Sequence, residues 1–315
     1  MNKKHIIIIG LGGVGGYFGF KINQANRNNQ HQITFVARDK TYDVVNTKGL
    51  TLLSAEHSNS VTKPTNIVNN ISDIKSPDLI LICVKEYDLE NVCNQIKEVI
   101  LETSIILPMM NGADIYDRIR GIIPNNTILP SCVYVASHIK EKGIVEHKGK
   151  AGKLFLGRDP QNFKKNIDWI LNIIDNSNIS CEFKDSSLID IWTKFIFIAS
   201  FGLVTAKYNS SIGKVCTNEF QKNEAIQIME EIKLIASVKD IELGKDIIPK
   251  TFNKAATFPP QTPTSLQLDI NSQKENTELE LFAGAIIRYG KQLKIKTPYT
   301  QKIYSEIRDN ISQHK

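Results

Sequence analysis

A glycine-rich turn close to the start of the chain limits what its 315 residues can fold into more than any other feature. Residues 6–9 are four consecutive isoleucines, and Gly10-Leu11-Gly12-Gly13-Val14-Gly15 follows at once. Residues 17–23 then continue at helical spacing. An unbroken β-branched run suits a strand covered on both faces, as in a parallel sheet. Each glycine of the GxGxxG pattern has its own task. Gly10 permits a tight turn out of the strand, Gly12 lets a pyrophosphate approach the backbone, and Gly15 allows close helix–strand packing. The helix N-terminus then offers unpaired N–H groups and a positive dipole end to phosphate. The strand–turn–helix context separates this pattern from a chance glycine run. Residues 10–15 are therefore expected to hold a dinucleotide.

Further apolar runs at 33–36, 79–84 and 105–107 read as companion strands, alternating with turn-rich or amphipathic stretches in the manner of βαβ units. Shorter runs at 128–135, 144–148, 153–156 and 180–183 read as antiparallel additions to the same sheet. After residue 186 the texture becomes helical. Leu188, Ile191, Trp192, Phe195, Ile198, Ala199, Gly202, Leu203 and Ala206 recur at helical spacing, and Ile196, Phe197 and Phe201 fill other faces. A helix apolar nearly all round is a buried one. Segments 219–235, 277–293 and 299–311 read as further helices, and 258–263, with three prolines, as a loop. The expected fold is α/β. A Rossmann-type doubly wound domain spans residues 1–184, and an all-helical domain carrying substrate and catalytic residues spans 185–315.

Composition narrows the class. Charged residues make up 23% and the net charge of +6 is dispersed, which suits an anionic small ligand and gives no basic block for nucleic acid. The five cysteines show no CxxC spacing and the six histidines no ligand spacing, so neither a disulfide framework nor a metal site is expected. The first apolar run is too short for a signal peptide or a membrane span, and a cytoplasmic enzyme without a membrane partner is expected. The apolar helix after Ser186 suits a monomer core or a homodimer interface equally.

Cofactor choice is written at the end of the second strand. Arg38 occupies the first position beyond it and favours NADPH by a bidentate contact to a 2′-phosphate, while Asp39, one residue later, is the rival that would favour NAD. Lys85 closes run 79–84 and Asn111-Gly112 follows run 105–107. Both lie at carboxyl ends of strands, where doubly wound sheets bind ligands; a solvated charge and a simple turn are their plainer readings. Lys194, among aromatic and aliphatic neighbours, is a candidate proton donor with a pKa lowered by desolvation. A lysine snorkelling to water is the alternative.

Taken together these residues resemble one family. Gly10–Gly15, Arg38, Asn46-Thr47-Lys48-Gly49-Leu50, Val84-Lys85, Asn111-Gly112, Trp192-Thr193-Lys194, Thr264-Ser265-Leu266-Gln267-Leu268-Asp269-Ile270, Thr277-Glu278-Leu279-Glu280, Gly290 and Thr297-Pro298 occur in order along nearly the whole chain. The chain resembles the ketopantoate (2-dehydropantoate) reductases within the 6-phosphogluconate-dehydrogenase-like group. The resemblance implies hydride transfer from NADPH to a small 2-oxo acid, giving pantoate for pantothenate synthesis, with Lys194 protonating the alkoxide. It places Lys85 and Asn111 beside nicotinamide and substrate, Ser265 on the substrate, and Glu278 by the cofactor ribose and the catalytic lysine. Two positions depart from the family. Asparagines that hydrogen-bond ketopantoate, four and eight residues after the lysine, are here Ile198 and Gly202, and the segment between Asp269 and Glu278 is one residue longer. A reductase of a bulkier 2-oxo acid, and a non-catalytic NADPH sensor, are the competing readings.

Overall fold

In the computed structural model, which describes residues 3–55 and 60–313, the isoleucine run forms β1 (His5–Ile9). Residues 6–9 are at most 3% exposed, because helices cover both faces of the strand. The chain continues through α1 (Gly13–Ala25), β2 (Gln32–Val36), α2 (Asp39–Lys48), β3 (Leu50–Leu53), β4 (Ser60–Thr62) and β5 (Asn66–Val68). Next come β6 (Leu79–Ile82), α3 (Leu89–Lys97), β7 (Ile105–Pro108), α4 (Ile115–Ile122) and β8 (Thr127–Ile128). Six strands stand in the order β5-β2-β1-β6-β7-β8, and every pairing is parallel. This is the Rossmann-type order. Its direction of winding reverses between β1 and β6, which opens a crevice at the carboxyl ends of those strands.

The shorter strands differ from expectation. β9 (Ser131–Tyr134), β10 (Ser137–Glu141), β11 (Ile144–His147), β12 (Lys153–Gly157) and, after α5 (Asp168–Asn176), β13 (Ser180–Lys184) do not extend the main sheet. They form two small sheets, β10-β11-β3-β4 and β13-β12-β9, in which β11 runs parallel to β3 and β12 parallel to β13. The run 128–135 is not one strand. Pro130 has no N–H to continue the ladder. Its carbonyl instead accepts from the Gly157 amide at 2.9 Å and the Ser187 hydroxyl at 2.8 Å, which turns the chain into the third sheet.

The chain folds into two units, one holding residues up to 111 and 115–187, the other holding 112–114 and residues from 188 onward. Among its described residues the second unit has helices and no strand: α6 (Leu188–Tyr208), α7 (Ile212–Thr217), α8 (Glu219–Val238), α9 (Ile247–Ala255), α10 (Ser265–Asn271), α11 (Ala285–Leu293) and α12 (Pro298–Gln313). The helix expected over 277–293 is interrupted by a π-helical stretch, Glu280–Gly284, that runs into α11. α6 is long and apolar enough by composition to cross a bilayer, yet 67% of that window is buried within the protein. It is the core helix of its unit. Lys207 anchors its end, 2.6 Å from Glu224 on α8 and 2.7 Å from Glu306 on α12.

One buried acid holds the edge of the first unit. Asp159, 1% exposed, accepts from Arg120 at 2.6 Å, from the Ile128 amide at 2.8 Å and from the Tyr116 hydroxyl at 2.7 Å. Burial pushes this carboxyl up, but the hydrogen bonds from Ile128, Tyr116, Gln161 and Asn162 outweigh it and hold the group below its ordinary range. A depressed carboxyl stabilises the fold above its unfolded pKa, and that stabilisation is lost as pH falls through the folded value. Asp159→Asn should therefore lower unfolding free energy at neutral pH by about 3–5 kcal/mol, the usual result of breaking a buried pair. Urea denaturation at several pH values checks this, and the gap between variant and wild type should narrow on acidification.

Candidate active site

The glycine turn sits where β1 ends. Gly10 has a φ of +91°, and a Cβ there would lie 2.9 Å from the Cys83 carbonyl oxygen, so only glycine can make the turn and pass the end of β6. A Cβ at Gly15 would overlap the Gly10 carbonyl oxygen and sit 2.7 Å from the Cys83 Cβ. This brings α1 close against the strand ends. Gly12, the residue capping α1, contributes no side-chain hydrogen bond, and nothing lies within 4 Å of where its Cβ would be. Its backbone is open to the cleft, as the approach of a phosphate requires. Gly13 has a packing reason of its own, because a side chain there would run into the Ser137 carbonyl of the β10 sheet.

Gly10, Leu11, Gly12, Arg38 and Lys85 line one cleft of about 370 Å³ at the carboxyl ends of β1, β2 and β6. Val14 and Gly15 follow inside α1. Burial pushes the Cys83 thiol far above its ordinary range, so this part of the lining is uncharged. The fit to a dinucleotide pyrophosphate is direct: bare backbone at Gly12, the N-terminus of α1, and cations on the walls. Arg38 stands where the sequence puts it but is already engaged, with Nη2 donating to Asp88 at 2.8 Å and Nη1 at 3.4 Å. Asp88 carried no motif signal, being 50 residues from Arg38 in sequence. Asn111 is half-buried just beyond β7, as expected for a residue at a strand's carboxyl end, and does not line this cleft.

A larger cavity of about 690 Å³ opens at the opposite end of the sheet, near Ile6 and Ile33. It is bordered by the C-terminal ends of α1 and α5, whose dipole ends are negative. Its buried Lys21 donates to the Asn178 carbonyl at 2.8 Å, as a cation at a helix C-terminus does. The smaller cleft is the better phosphate site.

In the second unit Lys194 is half-buried on α6, between Trp192 (1% exposed) and Phe195 (1% exposed). Lys194, Ile198, Gly202 and Thr205 recur at spacings of four, four and three, and so share a helix face. The far part of this face is packed. A Cβ at Gly202 would meet the Phe282 ring at 3.5 Å and the Leu266 Cβ at 4.0 Å. Thr205 Oγ1 lies 2.6 Å from Thr264 Oγ1, and Thr264 caps α10 immediately before Ser265. Ser265 is exposed at the start of α10, one residue after the threonine whose hydroxyl pairs with α6. Glu278 is 5% exposed, just ahead of the π-helical stretch that carries Phe282. A π-bulge widens a helix and is found often at functional sites. Among the described residues, no group of three or more His, Cys, Asp or Glu is placed to hold a metal ion.

Comparison with known proteins agrees with this organisation. The sequence profile of ketopantoate reductase PanE/ApbA matches residues 6–161, and that of its C-terminal part matches residues 188–310. An uncharacterized oxidoreductase, YkpB, of Bacillus subtilis is 22% identical over 303 residues, covering 96% of this chain and 97% of that protein. The 2-dehydropantoate 2-reductase of Streptococcus pyogenes serotype M1 is 23% identical, with 95% of each chain covered. Among solved structures, a PanE/ApbA family ketopantoate reductase from Ralstonia eutropha superposes with a TM-score of 0.85 at 22% identity, covering 98% of this chain and 99% of that one. A D-mandelate dehydrogenase solved with NADH and anilino(oxo)acetate reaches 0.83 at 20% identity, covering 98% and 99%. These likenesses show a shared fold. With profiles matched along both units, the chain belongs to the ketopantoate reductase family of oxidoreductases.

Proposed function

We propose that this oxidoreductase reduces a 2-oxo acid to the 2-hydroxy acid with NADPH, the first candidate substrate being ketopantoate, reduced to pantoate for pantothenate synthesis. The observation that carries this reading is Lys194, a half-buried lysine on the α6 face that continues through Gly202 and Thr205 to the start of α10. Bound at the glycine turn, NADPH would supply the hydride. The Gly12 backbone and the N-terminus of α1 would hold its pyrophosphate, Arg38 its 2′-phosphate, and Lys85 and Asn111 its nicotinamide end. As hydride reaches the keto carbon the carbonyl oxygen becomes an alkoxide, and Lys194 Nζ would deliver the proton that neutralises it. Ser265 would hold the substrate, and Glu278 would hold the lysine charged. In this reading the enzyme acts on a small molecule in the cytoplasm, without nucleic acid or membrane, as a monomer or a homodimer.

A second reading has its own support. Gly202 and Ile198 offer no donor where ketopantoate reductases place asparagines, and Phe282 and Leu266 pack against position 202. A site built to hydrogen-bond its substrate loses discrimination when the donor becomes apolar. A bulkier, less polar 2-oxo acid fits such a face better. The D-mandelate dehydrogenase with the shared fold was solved with NADH and anilino(oxo)acetate, a carboxylate that carries an aromatic ring.

Lys194→Ala should lower kcat by about 10²–10⁴-fold, the usual worth of a general acid, while leaving the NADPH dissociation constant near its wild-type value. Stopped-flow absorbance of the reduced cofactor and a binding titration measure the two; an unimpaired kcat would remove Lys194 from the chemistry. A panel comparing ketopantoate with phenylpyruvate and benzoylformate decides between the substrate readings. If the apolar face at Ile198 sets the choice, Ile198→Asn should shift kcat/KM toward ketopantoate by about tenfold or more relative to phenylpyruvate.

A further inference from the structure

We propose that Asp88 sets cofactor preference by holding the Arg38 guanidinium, so that the chain accepts NADH nearly as well as NADPH. The inference rests on the reading that the glycine cleft takes a nicotinamide dinucleotide.

The pair is built, and the acid is its fixed partner. Both outer nitrogens of Arg38 reach both oxygens of Asp88, at 2.8 and 3.4 Å, the fork-to-carboxylate arrangement that is strongest for arginine. The Arg38 side chain is 64% exposed, whereas that of Asp88 is 21% exposed. Asp88 ends a short 3₁₀ turn, Glu86–Asp88, and its amide donates to the Lys85 carbonyl at 3.0 Å, which ties it to the end of β6. A carboxylate just before α3 could have served that helix as a cap, but it makes no capping hydrogen bond. Its charge goes to Arg38. Both residues line the same cleft as Gly10 and Gly12.

The consequence follows from charge. The other ionisable groups lining this cleft are Asp39, Cys83, Lys85, Tyr87 and Lys142, of which the buried Cys83 thiol stays neutral. A 2′-phosphate needs the same guanidinium fork that Asp88 occupies, and must also sit beside the Asp88 carboxylate. The 2′-hydroxyl of NADH carries no charge and can donate to a carboxylate, the role that acidic residues play in NAD-binding sheets. Arg38 alone would select the phosphorylated cofactor; Arg38 paired with Asp88 selects weakly.

The test is a double-mutant cycle on the full chain, with dissociation constants for NADPH and NADH read by isothermal titration at one fixed, low ionic strength. Wild type should bind both, with NADPH favoured by no more than about tenfold. Asp88→Asn should raise the NADPH-over-NADH ratio by about fivefold or more, mainly through tighter NADPH binding, while Asp88→Glu, which keeps the charge, should stay near the wild-type ratio. With Arg38→Ala as background, where only the direct effects of the carboxylate on the 2′-phosphate and the 2′-hydroxyl remain, Asp88→Asn should raise the ratio by a clearly smaller factor, about half of that in the wild-type background or less. An unchanged ratio in Asp88→Asn overturns the proposal. So does an equal rise without Arg38, which would leave only repulsion between carboxylate and phosphate. Failure of the wild type to bind either dinucleotide would instead remove the cofactor reading itself, before any variant is made.

Discussion

The first unit depends on the contact between Gly15 and the Gly10 carbonyl oxygen. No side chain fits between them, so α1 starts almost on top of the strand it follows, and its N–H groups open at the carboxyl ends of β1 and β6. The same helix is pressed from its other side. Side chains at Gly13 and Gly16 would run into Ser137 and Val145 of the β10-β11 sheet. α1 is thus clamped between two sheets at single-residue tolerance, and its dipole axis has one direction available. A helix able to rock by an ångström would blur the proposed phosphate site. Glycines that read as one binding motif therefore answer two demands, and the packing demand accounts for the ones that face no ligand.

Much of this was readable from the chain because burial on both faces leaves a plain signal. Residues 6–9, 79–82 and 105–107 are apolar at every place and 33–36 is broken only by the β-branched Thr34, and no amphipathic helix imitates that in so few residues. The small sheets were misread for an equally physical reason. β9 and β12 are apolar strands like the others, but their partners are set by a turn at Pro130 and by hydrogen bonds from Gly157 and Ser187, which lie 27 and 57 residues away. Local pattern carries no record of such partners. The π-helical stretch was invisible too. Its residues keep an ordinary helical pattern, and the contact of Phe282 with Gly202 is made between residues 80 positions apart.

The candidate site shows the same division. Position along the sheet identified Arg38 and Lys85, since both follow directly from where strands end. Asp88 could not be found in this way, because nothing near it in sequence says that its carboxylate turns back to Arg38 and not toward the helix it precedes. Lys194 was legible as a charge in an apolar run. Its neighbours on the helix face were legible only as departures from a family pattern, until Phe282 and Leu266 gave position 202 a packing role.

That packing separates chemistry from selectivity. α6 is held at its end by Lys207 between Glu224 and Glu306, and along its length by a fully buried Trp192, Phe195 and Phe201. Its rotation about its own axis is therefore set largely by this packing and by the ion pairs at its end. On such a helix the side chains four and eight residues beyond Lys194 can change from amide to apolar without moving the ammonium. A proton donor needs only a rigid position and a charge, whereas recognition of a substrate's hydroxyls needs particular partners at particular distances. In the proposed reading the helix supplies the first through Lys194 and, at Ile198 and Gly202, offers no polar partner for the second. On that reading, a substitution at position 198 or 202 would change which carbonyl is accepted more than whether a carbonyl is reduced.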